Sequence, residues 1–109
     1  MKRLEMYALP DGRVPFREWL EALRDQKAVA RVKTRLDRLV LGNPGNVRPI
    51  GAGLSELRID WGPGYRVYFG QSGDVVVILL CGGDKRTQKA DIRLAQDYWN
   101  EFNRRSRNV

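Results

Sequence analysis

Hydrophobic positions change period several times along the chain, and each change marks an element. Leu4 to Leu9 reads as a short first strand, closed by the turn residues Pro10-Asp11-Gly12. Pro15 suits a first helical position. Phe16, Trp19, Leu20 and Leu23 then recur at i, i+3, i+4 and i+7, one apolar stripe of a helix. A second helix opens at Lys27, with Val29, Val32, Leu36, Leu39 and Val40 on its apolar face. It ends at Gly42, a C′ residue, with Pro44 shortly after. Asn43 to Gly53 is rich in Gly and Pro and reads as a loop.

The period then falls to two. In Leu54 to Trp61, Ser55, Leu57, Ile59 and Trp61 face one side, and Leu54, Glu56, Arg58 and Asp60 the other. In Tyr65 to Phe69, Tyr65, Val67 and Phe69 oppose Arg66 and Tyr68. A loop of Gly62-Pro63-Gly64 pairs Asp60 with Arg66, Ile59 with Val67 and Arg58 with Tyr68. Both apolar faces then coincide, leaving Glu56, Arg58, Asp60, Arg66 and Tyr68 on the other side. Gln71-Ser72-Gly73-Asp74 is a second hairpin turn. Val75 to Cys81 is apolar throughout, as a central strand covered on both faces requires. Gly82 to Gln88 reads as a flexible polar loop. A last helix runs from about Lys89 to Phe102 with Ile92, Ala95, Trp99 and Phe102 on one side, and a frayed basic tail, Arg104 to Asn108, follows. The expected fold is a single α+β domain over residues 1–109, ordered β-α-α-β-β-β-α. Its mostly antiparallel twisted sheet packs against the N-terminal helix pair, with a C-terminal helix. Trp19, Trp61 and Trp99 are expected to be packing residues.

Charge narrows the chemistry. The net charge is +7, and fifteen of the 20 cations are Arg, whose planar fork matches phosphate. A polyanionic partner is expected. Histidine is absent and Cys81 is the sole cysteine, at the end of a buried strand, so an inert core thiol is the reading for it. The N-terminal decapeptide is too short and too charged for a signal peptide, and Val75 to Cys81 is far too short to span a membrane. A cytoplasmic protein without membrane contact is expected. Arg58, Arg66 and Tyr68 project from one face of the sheet, and Lys85 and Arg86 follow its last strand. Together they suit a phosphodiester. RNA cleavage by its own 2′-hydroxyl needs no metal or cofactor, only a base, an acid and cations on the phosphorane. Asp60, Asp84, Asp91, Lys85 and Tyr68 are the candidates for proton transfer. On the second helix, Arg31, Lys33, Arg35 and Arg38 form a polar basic face, a solvated surface or a nucleic-acid contact.

Three pieces in order carry a resemblance that spans nearly the whole chain. They are Leu54-Ser55-Glu56-Leu57-Arg58, then Trp61-Gly62-Pro63-Gly64-Tyr65-Arg66-Val67-Tyr68, then Cys81-Gly82-Gly83-Asp84-Lys85-Arg86-Thr87-Gln88 with Asp91-Ile92. The chain resembles the RelE/ParE superfamily of bacterial toxins, and within it the HigB-like addiction module killer proteins. The resemblance implies the toxin of a type II toxin–antitoxin pair. Its partners would be a small helix-turn-helix antitoxin, the ribosome and mRNA, with operator DNA met only through the antitoxin complex. RelE- and HigB-like members cleave mRNA in the ribosomal A site, whereas ParE-like members inhibit DNA gyrase. A catalytically inactive member would bind only antitoxin and DNA. By residue, the resemblance aligns Arg66 with an arginine on the scissile phosphate and Lys85-Arg86 with a basic pair. Arg58 lies near a lysine-bearing stretch. The catalytic Tyr of RelE-type members has no counterpart in Lys89 to Arg93, so Asp91 or Tyr68 is expected to substitute. The implied catalytic set is Arg58, Arg66, Arg86, Asp91 and Tyr68. Lys85 and Arg58, with Arg31, Lys33 and Arg35 from the basic face of the second helix, are the candidate RNA-binding set.

Overall fold

The computed structural model describes residues 1–107. One five-stranded sheet has the order β1-β5-β4-β3-β2, from β1 (Arg3–Met6), β2 (Val47–Gly51), β3 (Leu54–Ile59), β4 (Tyr65–Ser72) and β5 (Val76–Asp84). Only β1 and β5 run parallel; every other pair is antiparallel. Helices α1 (Pro15–Ala22) and α2 (Gln26–Val40) cover one face. There Phe16, Val32, Leu36 and Leu39 meet Leu57, Ile59, Val67, Phe69, Val77 and Leu79. Helix α3 (Gln88–Arg107) covers part of the other, where Ala95 and Trp99 meet Tyr7, Leu54, Tyr68, Ile78 and Leu80. The α+β architecture expected from the sequence is therefore present, with one strand more.

That strand is β2, inside the stretch read as a loop. It pairs only with β3, at the sheet edge. An edge position tolerates Pro49, which has no N–H to donate. The first strand is shorter than expected, although Tyr7 N still donates to Leu79 O at 2.9 Å.

The β3–β4 hairpin differs from its expected register by two residues. Ile59 pairs with Tyr65, Arg58 with Arg66 and Glu56 with Tyr68, leaving a five-residue loop, 60–64. Trp61 explains the early end of β3. Its indole Nε1 donates to Asp25 Oδ2 at 3.0 Å, and the Arg31 guanidinium lies 3.9 Å from its ring centre. Asp25 also caps α2 by accepting from Lys27 N and Ala28 N. The hairpin tip is thus tied to the start of α2. A slip of two preserves the faces, so the inside–outside pattern survives while the expected Asp60–Arg66 pair does not form.

The expected polar loop after β5 is mostly regular. Gly82, Gly83 and Asp84 belong to the strand, Lys85–Thr87 form one turn of 3-10 helix, and α3 follows directly. A Cβ on Gly82 would collide with the Trp19 ring, and one on Gly83 with the Asp91 carboxylate. These glycines admit α1 and α3 onto the sheet, so their role is close packing. Arg104 to Arg107 continue α3 where fraying was expected; the part of that expectation that concerns Asn108 lies outside the described residues. Among the described residues, no helix is long and apolar enough to cross a membrane.

Candidate functional site

Glu56 is the centre of the polar cluster under α3. It is fully buried, which is exceptional for a carboxylate, and each oxygen is engaged. Arg58 Nε donates to Oε1 at 2.8 Å, and Gln88 Nε2 donates to Oε2 at 2.9 Å. Arg66 Nε stands 3.6 Å from Oε2 and Arg48 Nη2 stands 3.9 Å from Oε1. Burial opposes ionisation of Glu56, but hydrogen bonds from Arg58 and Gln88 outweigh it and hold the carboxyl below its ordinary range.

Arg66 is 8% exposed. Its Nη1 donates to Gly64 O at 3.1 Å, and its Nε has no partner in hydrogen-bond geometry among the described residues. The buried Nε thus faces Glu56, and the outer end of the guanidinium remains for an external anion. It opens onto a groove of about 300 Å³ whose walls include Arg58, Asp60, Tyr65 and Lys85. Asp60 is exposed at the mouth. Through Ile59 and Asp60 this groove adjoins a larger one, of about 430 Å³, along α2. Lys27, Arg31, Thr34, Arg35 and Arg38 line it.

Of the residues singled out from sequence, Arg58, Asp60, Arg66 and Lys85 therefore come together. The others separate. Tyr68 shares the sheet face of Glu56 but is fully buried in the core under α3, and among the described residues its hydroxyl has no partner in hydrogen-bond geometry. Burial and the nearby Glu56 carboxylate raise its pKa. Asp91 sits on the first turn of α3 behind Gly83. It accepts from Thr87 Oγ1, and its pKa is raised by burial and, less, by Asp84. Neither lines the groove. Arg86 points to solvent and is held by Asp84, Nη2 to Oδ2 at 3.1 Å. The reason is local: Asp84 caps the 3-10 turn, accepting from Arg86 N at 2.8 Å, and gathers the side chain as well.

The α2 set also divides. Arg31 and Arg38 line the larger groove, but Lys33 faces a different depression, between α1 and α2, with Leu20 and Gln26. Arg35 is occupied with the fold: it donates to the carbonyls of Arg58, Pro44 and Asn46, and burial lowers its pKa. It staples α2 to the segment leading into β2.

Glu56 itself was not among the candidates from sequence. Its signal was its position, two residues before Arg58 on one strand face. A carboxylate on a strand reads as solvent-facing until a helix is known to cover it.

Two comparisons bear on this geometry. A family model described as Phage derived protein Gp49-like (DUF891) matches residues 18–99, from the first turn of α1 to the middle of α3. An uncharacterized protein of Haemophilus influenzae is 48% identical over 81 residues, which covers 74% of this chain and 82% of that protein. The family match includes the hairpin, the groove and the buried carboxylate.

Proposed function

The chain belongs to the Gp49-like family of phage-derived proteins, and from that premise we propose that it is the toxin of a type II toxin–antitoxin pair, acting as a ribosome-dependent mRNA endoribonuclease. The observation that carries this reading is Arg66: a nearly buried guanidinium that lines one groove with Arg58 and Lys85. The resemblance of the hairpin and of the segment after β5 to the mRNA-cleaving RelE- and HigB-like toxins supports the same assignment. Fold alone does not separate cleavage from gyrase inhibition, so the reading rests on the groove.

In the proposed mechanism the scissile phosphate lies across Arg58 and Arg66. The two guanidinia stabilise the extra charge of the phosphorane, where fixed donors act most strongly. Asp60, at the groove mouth, takes the proton of the attacking 2′-hydroxyl. The bond to the 5′-oxygen breaks, that oxygen takes a proton from Lys85, and a 2′,3′-cyclic phosphate remains. Asp60 replaces Asp91 and Tyr68 in this scheme because it lines the groove and they do not. Arg31 and Arg38 extend the positive surface along α2 for flanking RNA. The cognate partner is a small helix-turn-helix antitoxin, and operator DNA is met through that complex.

Growth after induced expression tests the reading. Wild type is expected to arrest growth and deplete mRNA, and Arg66→Ala, folded to the same thermal midpoint, is expected to do neither. Full toxicity of Arg66→Ala, or arrest with intact mRNA and blocked supercoiling, would sink the nuclease assignment and favour gyrase.

A further inference from the structure

We propose that Glu56 is a positioning residue: its buried carboxylate sets Arg58 and Arg66 side by side as one bidentate phosphate receptor. The strand register puts these two arginines directly opposite each other. Like charges so placed repel, and a sheet that held them without a counter-charge would splay them apart. Glu56 is on the same strand face as Arg58, two residues earlier, and is fully buried. It meets both arginines through Nε, at 2.8 Å for Arg58 and 3.6 Å for Arg66. Contact at Nε leaves the terminal nitrogens of Arg58, and Nη2 of Arg66, to the groove that both residues line; Arg66 Nη1 donates to Gly64 O.

The same carboxylate is itself held. Gln88, the first residue of α3, donates to Oε2 at 2.9 Å, so the helix that buries Glu56 also fixes its orientation. With Arg48 near Oε1, three guanidinia surround a single negative charge. One carboxylate neutralises one of them. Of the three, Arg58 and Arg66 line the groove, and with Glu56 they carry one net positive charge, which matches a phosphodiester bearing one negative charge. A buried carboxylate with several cationic partners is costly to assemble and is retained here in a position that orients the groove arginines.

The identity of the bound phosphate rests on the endoribonuclease reading; the positioning does not. The test compares purified wild type, Glu56→Gln and Gln88→Ala in three measurements: single-turnover cleavage in a reconstituted translation reaction, affinity for an uncleavable 2′-deoxy analogue of the scissile site, and arginine Nε–H resonances in ¹⁵N NMR. Glu56→Gln keeps the shape and removes the charge. Its cleavage rate is expected to fall about a hundredfold, the scale of a misplacement near 1 Å, while its affinity for the analogue is retained, because both cations remain. Wild type is expected to show a slowly exchanging Arg58 Nε–H signal, from its bond to Glu56, and Glu56→Gln is expected to lose it. A structural role alone would weaken affinity and rate together. An unchanged rate in folded Glu56→Gln, or an unchanged Arg58 signal, would overturn the proposal. If Glu56→Gln does not fold, Gln88→Ala decides: a slower rate at constant affinity supports positioning, and an unchanged rate removes it. If wild type cleaves nothing, the endoribonuclease reading fails, and the Arg58 resonance alone judges Glu56.

Discussion

Single residues in this protein are separated into roles more sharply than their types suggest. Fifteen arginines look interchangeable along the chain, yet their surroundings assign them different tasks. Arg35 serves the backbone, with three carbonyls as its partners. Arg35→Ala would leave buried or half-buried acceptors unmatched, an expected loss of about 1–3 kcal/mol, measurable as a lower urea midpoint without loss of the groove arginines. The two carboxyls near α3 differ in sign. Asp91 has a raised pKa, mainly through burial, so its contribution to stability is full below the ordinary value of 3.8 and is lost as pH rises through its folded value. Asp91→Asn keeps an acceptor for Thr87 and is therefore expected to raise the thermal midpoint near neutral pH and to change little below 3.8. Glu56 is lowered, so its contribution is present above the ordinary 4.5 and fades as pH falls through its folded value. A thermal-midpoint profile across pH 3–7 for both variants checks both signs; a midpoint lowered at neutral pH by Asp91→Asn would contradict the first.

Elements meet through residues that periodicity cannot rank. The helical stripes Phe16-Trp19-Leu20 and Ala95-Trp99 are legible because burial repeats with the helix turn. Gly70, Gly82 and Gly83 are not legible as packing residues, since a glycine has no side chain to join a pattern. Their importance lies in what approaches them: Trp99 at Gly70, Trp19 at Gly82, Asp91 at Gly83. Gly82→Ala is expected to cost about 1–3 kcal/mol by forcing Trp19 off the sheet, seen in denaturant unfolding. No change in stability would mean that α1 does not depend on this approach. On α2, Arg31 and Arg38 face the groove while Lys33 does not. Replacing Arg31 and Arg38 by Ala is expected to lower the slope of log affinity for single-stranded RNA against log salt by roughly 0.7 per removed contact, whereas Lys33→Ala leaves that slope unchanged. Equal effects of all three would make α2 a general charged surface.

At the scale of the whole molecule, the alternation of β3 and β4 and the apolar run of β5 were enough to read a mostly antiparallel sheet with β5 inside it, though not its five-strand order. The missing strand was hidden because β2 is an edge, where Pro49 and Gly51 are tolerated, and the hairpin register because a slip of two leaves every face unchanged. The candidate site was legible for Arg58 and Arg66, which depend on strand faces, and for Lys85, which follows the last strand. It was not legible for Glu56, whose burial comes from α3, or for the separation of Tyr68, Asp91 and Arg86 from the groove, which comes from contacts far apart in the chain. The net charge of +7 suits an RNA-rich target and an acidic antitoxin alike, so charge does not choose between them. Cleavage does. The decisive measurement maps mRNA 5′ ends by primer extension after adding purified protein to a reconstituted translation reaction, with a ribosome-free lane and folded Arg66→Ala beside it. New ends that appear only with ribosomes, and vanish with Arg66→Ala, are the predicted result. Intact mRNA with active wild-type toxin, or cleavage that survives loss of Arg66, would contradict the account.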